Sequence, residues 1–357
     1  MEQRNDTTGL LDLMARPAFC AAGGRVTRVN DQAAAFDIVP GMELSALLLT
    51  GAEEYAAFSE GCLYLTLSVA EQRLDAAVTR LAEFDVFCLE ELADSQELKA
   101  MALAAQELRG PLCSIVSTAQ QLFPVIGRED DPALRDQVAR INRGLYQMLR
   151  VLNNMSDAGH YAASPARQKT HDITAILDEV FSKAAALVAH SRIRLCYTGY
   201  PDAIYCLTDP ESLERAVLNM ISNAARFARP DSEIRAALVR RGSKLYLTME
   251  NDGDPIPAGI RGDVFTRYLR QGSVKDARFG IGLGMVLIRD AAAAHGGAVL
   301  MDQPREGSTR ITMSLSIRQD PGTLRAPSLE MDYAGGMDHH LLELSGDLPP
   351  ALYEKEF

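Results

Sequence analysis

Asn219 and Asn223 stand four residues apart in the stretch Leu213-Glu214-Arg215-Ala216-Val217-Leu218-Asn219-Met220-Ile221-Ser222-Asn223-Ala224-Ala225-Arg226-Phe227. On a helix that spacing puts both on one face. Two amide oxygens on such a face suit a hard cation such as magnesium, which prefers oxygen ligands and keeps waters and phosphates in its shell. Arg226, within a turn of Asn223, suits a phosphate. Two asparagines alone more often mark a solvated face than a metal site. A second group, Met249-Glu250-Asn251-Asp252-Gly253-Asp254-Pro255-Ile256-Pro257, closes a strand. A polar side chain at a strand end followed by glycine can read a purine edge, and Gly253 lets the backbone approach a flat ring. Alone, this group is a turn with two prolines. A third, Phe279-Gly280-Ile281-Gly282-Leu283-Gly284-Met285, opens a helix with three alternating glycines. Free N–H groups and the positive dipole end then face a phosphate. Met285 stands where the dinucleotide fingerprint needs its last glycine, and no Gly-Lys-Ser/Thr is present as a Walker loop requires. Gly307-Ser308-Thr309 is the fourth group, entering a last strand.

The 357-residue chain is 47% apolar and 24% charged, with a formal net charge of −12. That composition fits a folded globular protein of two or three domains. The negative balance disfavours direct nucleic-acid binding. The apolar runs, such as Leu47-Leu48-Leu49, are too short for a membrane span, and the polar start Met1-Glu2-Gln3-Arg4 has no apolar core of a signal peptide. Six cysteines without CxxC spacing read as reduced thiols in a cytoplasmic protein.

Several elements must position these groups. Helices are expected over 172–190, 210–228 and 283–295, and strands over 192–197, 233–240, 244–250, 298–302 and 309–317. Arg240-Arg241-Gly242-Ser243 is a hairpin turn, which argues for an antiparallel or mixed sheet. Upstream, Leu98, Met101, Ala105, Leu108, Leu112, Ile115, Ala119 and Leu122 form a heptad seam, and Leu134, Val138, Ile141, Leu145, Met148, Leu152 and Met155 form a second. Joined across Gly127–Pro132, they predict an antiparallel hairpin whose uncovered apolar face pairs with a second copy in a four-helix bundle, hence a homodimer. Ser164–Gln168 reads as a linker, with His171 in the same linker. Before the hairpin, Phe19–Ala22, Arg25–Val29, Leu63–Val69 and Val86–Leu89 read as strands of a small α/β module, with Asn30-Asp31 capping a short helix. From Arg318 onward come eight acids against three bases and no sustained periodicity.

In order and spacing, the four groups resemble the N, G1 and G2 boxes and the closing Gly-x-Thr of the histidine kinase ATPase domain, whose larger family includes gyrase B, Hsp90 and MutL. Asp263-Val264-Phe265-Thr266-Arg267-Tyr268 is similar to the kinases' F box, and His295-Gly296-Gly297 to their usual helix end. The resemblance implies a Bergerat-type α/β sandwich binding Mg-ATP. It implies Asn223 on the metal and Asn219 as a catalytic and nucleotide-binding residue. Around the nucleotide it implies Arg226, Phe227, Asn251, Gly253, Ile256, Phe265, Gly280, Gly282, Leu283, Gly284 and Thr309. Gln106-Glu107-Leu108-Arg109-Gly110-Pro111-Leu112 resembles the H box of the kinases' hairpin, with Glu107 as candidate general base.

Position 106, however, is Gln where the family has its phosphoacceptor His. An amide nitrogen is no nucleophile near pH 7, because its lone pair is delocalised into the carbonyl. Gly110 replaces the Thr or Asn of the family's phosphatase motif, and Asn251 replaces the usual adenine-binding Asp, keeping a carbonyl acceptor. His160 at a helix end, His171 in the linker, His190 at another helix end and His339-His340 in the tail read as ordinary structural or surface histidines. Val26–Ala34 resembles part of a PAS sensor domain. No histidine precedes His160, so a His-ligated haem there is excluded.

The expected architecture is therefore multidomain α+β. It comprises a PAS-like module (1–90), a dimerisation hairpin (91–162), an ATP-binding domain (163–318) and an acidic tail (319–357). The expected role is that of a sensor-histidine-kinase-like protein of two-component signalling without autophosphorylation at position 106. The alternative is a regulatory pseudokinase acting on a response regulator or a partner kinase.

Overall fold

The computed structural model describes residues 16–89, 94–126, 131–158, 168–253, 283–319 and 336–354, together with Leu11 and Met14. In chain order the elements are β1 (Ala18–Ala22), β2 (Arg25–Val29), α1 (Asp31–Ala34), α2 (Leu44–Leu47), α3 (Ala52–Ala57), β3 (Cys62–Val69), β4 (Gln72–Arg80) and β5 (Asp85–Leu89). Next come α4 (Asp94–Ile126), α5 (Pro132–Ala158), β6 (Lys169–Asp172), α6 (Ile173–Val188), β7 (Arg194–Thr198), β8 (Tyr205–Thr208) and α7 (Pro210–Phe227). The last are β9 (Glu233–Arg241), β10 (Lys244–Asp252), α8 (Leu283–Ala294), β11 (Val299–Asp302), β12 (Ser308–Ser316) and α9 (His339–Glu343).

The chain divides into two compact units. The first holds the described residues within Met1–Ser95, Leu238–Glu250 and Asp254–Ile317. Its strands run in the order β2-β1-β5-β4-β3-β11-β12-β10. The pairs β1/β2, β1/β5, β4/β5, β3/β4, β3/β11 and β11/β12 are antiparallel. Thus the amino-terminal strands and the later ones share one sheet, joined where Tyr64 faces Val299 and Cys62 faces Met301. One face of it is a core of Phe19, Val26, Ile38, Leu44, Phe58, Leu63, Leu65, Leu67, Val78 and Phe87, with Ala298 from the loop before β11. Phe19 and Phe87 stack with ring centroids 4.5 Å apart. Asn30 caps α1, accepting from the Ala33 N–H at 2.9 Å, and its oxygen also accepts from the Ala18 N–H at 3.0 Å. Two ion pairs tie the early residues to the later ones: Lys244 on β10 reaches both Glu54 oxygens at 2.6 Å, and Arg289 on α8 meets Asp75 at 3.2 Å.

The second unit holds the described residues of Gln96–Ala237, Asn251–Gly253 and Arg318–Phe357. α4 runs unbroken through Pro111. The two seams divide by heptad position. Ala105, Leu112, Ala119, Val138, Leu145 and Leu152 are buried, whereas Leu108, Ile115, Leu122, Ile141 and Met148 are each 52–54% exposed. One seam position faces inward and the other forms an apolar stripe on the outside of the chain. Here β7 pairs in parallel with β9, from Arg194↔Glu233 to Thr198↔Ala237. The antiparallel-dominated, mixed sheet agrees with the hairpin reading of residues 240–243.

Three sequence readings need correction. His171 is not in a linker: it is buried in β6, opposite Cys206 of β8. β4 lies outside the strands expected from sequence, because the β3–β4 turn places Ala70 and Glu71, rather than Asn-Gly, in the left-handed region at φ 48° and 65°. The tail is not featureless: α9 and a 3-10 turn at Pro350–Tyr353 bury Leu341, Leu342, Leu344, Leu348 and Tyr353.

Candidate functional site

α7 begins with the Asp209 side chain accepting from the Ser212 N–H at 3.5 Å and with Pro210 in the first turn. Leu213, Ala216, Val217, Met220, Ile221 and Ala224 form its apolar face. A second, polar stripe is Arg215, Asn219, Ser222 and Arg226, spaced four, three and four. The first three of these are buried. Asn223, half-buried, stands beside this stripe.

The end of α7 meets the end of β10 within the second unit. Ala228 bridges Gly253, and the Arg229 N–H donates to the Asp252 carbonyl at 2.9 Å. A Cβ on Gly253 would overlap the Phe227 carbonyl, so only glycine allows this approach. Asn251 is buried and its Nδ2 has no hydrogen-bond partner among the described residues. A buried amide donor without a partner is costly, and a ligand with a complementary edge relieves that cost. Two of the four sequence groups are thereby brought together: the Asn223–Phe227 end of the helix and the Asn251–Gly253 turn.

Asn219 lies differently from Asn223. It is buried, and its Nδ2 donates to the Arg215 carbonyl at 2.8 Å while its Oδ1 accepts from Arg150 Nη2 at 3.2 Å. In the first unit, Leu283 is buried and Gly284 half-buried at the start of α8, and Thr309 is buried in β12. Ile256, Phe265, Gly280 and Gly282 lie outside the described residues. Gln106 and Glu107 are exposed on α4. Next to them, Arg109 donates to the Asn153 side-chain oxygen on α5. Among the described residues no cluster of three His, Cys, Asp or Glu side chains could hold a metal.

Sequence reasoning missed a set of residues against the polar stripe of α7. Glu343 of α9, fully buried, pairs with Arg215 at 3.2 Å and with Arg150 of α5 at 3.3 Å, and lies 3.5 Å from the Asn219 amide. Asp347 accepts from Ser222 Oγ at 2.5 Å and pairs with Arg226 at 3.1 Å. The available signal was composition: Arg215 and Arg150 are cations at core-facing helix positions, and the acidic tail holds the carboxylates to neutralise them.

Residues 208–319, which include α7, β10 and α8, match the family described as histidine kinase-, DNA gyrase B- and HSP90-like ATPase. The chain is 28% identical over 243 residues to the signal transduction histidine-protein kinase/phosphatase MprB of Mycolicibacterium vanbaalenii, covering 65% of this chain and 48% of that protein. To the sensor protein KdpD of Escherichia coli it is 24% identical over 232 residues, covering 64% and 26%. Among solved structures, full-length ShkA in complex with AMPPNP is 18% identical with a TM-score of 0.49, covering 64% of this chain and 47% of that one. The chain thus spans about half of the first relative and about a quarter of the second. No helix among the described residues is long and apolar enough to cross a membrane.

Proposed function

We propose that this chain, whose residues 208–319 form a histidine kinase-, gyrase B- and HSP90-like ATPase domain, binds Mg-ATP and works in two-component signalling without a phosphoacceptor on its hairpin. The observation that carries the nucleotide reading is the buried Asn251 amide, unpartnered among the described residues, beside Gly253, where a side chain would close the approach. In this reading Asn251 meets the adenine edge, with Gly253, Ile256 and Phe227 around the ring. Asn223 holds magnesium, with Asn219 behind it in the same helix. Arg226 and the backbone at Gly280, Gly282, Leu283 and Gly284 meet the phosphates, and Phe265 and Thr309 complete the site.

Gln106 decides whether bound nucleotide can pass its γ-phosphoryl group to the hairpin. Exposed on α4, it occupies the acceptor position but has no nucleophilic lone pair. The exposed stripe of Leu108, Ile115, Leu122, Ile141 and Met148 supports a homodimeric four-helix bundle, because contiguous apolar surface of this kind is otherwise left in water. A PAS-like module over 1–90 and a cytoplasmic location, consistent with free cysteines, complete the proposal. The second reading, a regulatory pseudokinase that controls a partner kinase or response regulator by contact, is favoured by Gln106 itself.

Incubation with γ-labelled ATP tests this. The wild-type chain is expected to carry no acid-labile label on the hairpin. Gln106→His is expected to gain one, with Glu107 as the neighbouring base. Acid-labile label on the wild-type hairpin would refute the acceptor-less reading.

A further inference from the structure

The carboxyl-terminal segment behaves as a ligand of α7. Asp338 caps α9, accepting from the Leu341 N–H at 2.9 Å, and so sets the helix that presents Glu343. Glu343 then joins cations from two different helices, Arg150 of α5 and Arg215 of α7. Four residues on, Asp347 takes Ser222 and Arg226. The carbonyls of Ser345 and Gly346 accept from Arg143 at 2.9 and 3.1 Å, and Gln147 donates to the Ser345 carbonyl at 2.9 Å. Tyr353 anchors the far end. It stacks edge-on against Tyr146 at 5.1 Å, and its carbonyl accepts from Asn142 at 2.9 Å.

Two features of this contact bear on the ligand that α7 could take. First, its carboxylates sit on Asn219, Ser222 and Arg226, the stripe adjoining Asn223, and two anions cannot share Arg226 without strong repulsion. Second, the contact is incompletely satisfied. Among the described residues, His340 Nε2, Ser345 Oγ and Asn142 Oδ1 are buried with no hydrogen-bond partner. A partly satisfied polar network gives less stability than its contacts suggest.

We propose that residues 336–354 are an autoinhibitory strap: an acidic segment of the chain that occupies the α7 polar stripe, excludes a phosphate-bearing ligand from Arg226, and staples the hairpin helix α5 to α7. The strap rests on the reading of this site as one for Mg-ATP. Its release removes the Asp347 carboxylate from Arg226 and the Glu343 bridge between Arg150 and Arg215.

The test uses the whole 357-residue chain. Calorimetric titration with Mg-ATP compares wild type with Asp347→Asn and with Glu343→Gln, and hydrogen exchange follows the amides of Leu341, Leu342 and Leu344 in the wild type with and without saturating Mg-ATP. Both variants are expected to bind on the order of tenfold tighter, within the usual range of intramolecular coupling. In the wild type, nucleotide is expected to speed exchange in the strap. The exchange arm needs no substitution, so a misfolded variant does not shield the proposal. Equal affinities in properly folded variants, or strap protection unchanged at saturating nucleotide, would overturn the strap while leaving nucleotide binding intact. An absence of binding heat in all three proteins would overturn the nucleotide reading and the strap with it.

Discussion

Gly253 is the residue on which the candidate site turns. Its missing Cβ is what lets the end of β10 lie against the Phe227 carbonyl. Gly253→Ala is expected to cost about 1–3 kcal/mol, the usual penalty for forcing an extra methyl into a packed site, measured by urea unfolding. A loss under a few tenths would mean that the backbone here shifts freely. A different single-residue test concerns Lys244 and Glu54, a buried pair in the first unit. Lys244→Met strands a buried carboxylate, with an expected loss of roughly 3–5 kcal/mol; adding Glu54→Leu is expected to recover most of it, since an apolar pair replaces an ion pair at little cost. The close backbone approach at Gly253 was legible in the sequence, because glycine at a strand end has a narrow use. The ion partners were not: nothing local to Arg215 says that its carboxylate lies at Glu343, 128 residues later.

Among helices and strands, those with clear periodicity lie near their expected bounds: 283–295 as Leu283–Ala294, and 233–240 as Glu233–Arg241. Elements with atypical local chemistry leave no such mark. The β3–β4 turn has no glycine, and α9 has only five residues, too few for periodicity to show. α9 also carries a pH response. Burial holds the His340 imidazole below its ordinary value of 6.5, and Lys183 pushes the same way, while Glu214, Asp338 and a backbone hydrogen bond with Val180 oppose. The folded chain therefore binds protons less readily than the unfolded chain. The contribution of His340 to docking is full above about pH 6.5 and declines as pH falls below it. Exchange at the Leu341 and Leu344 amides, corrected for intrinsic rate, is expected to rise from pH 7.5 to 5.5, and His340→Leu is expected to flatten that rise. An equal rise in His340→Leu would assign it to another group.

For the molecule as a whole, the heptads identify both long helices but not which seam position a single chain covers. Leu112 is buried within the chain and Leu108 is half-exposed. An aspartate at each should therefore act differently. Leu112→Asp is expected to destabilise the folded chain, because it buries a lone charge. Leu108→Asp is expected to leave the chain folded and shift its light-scattering mass from dimer to monomer. A wild-type monomer at micromolar concentration would contradict the dimer. Nor do consecutive segments suggest that β3 would pair with β11: an edge-to-edge pairing between strands so distant in sequence leaves no local pattern, since any exposed edge strand can accept another.

The proposed nucleotide-dependent signalling requires that the joined ends of α7 and β10 form a Mg-ATP site with Asn223 on the metal. Calorimetric titration of Mg-ATP into the 357-residue chain, wild type against Asn223→Ala, reads this without any intervening step. The wild type is expected to bind saturably and the variant to lose affinity on the order of tenfold or more, because water only partly replaces the lost oxygen ligand. Equal affinity in the two proteins, or no binding by the wild type, would contradict it.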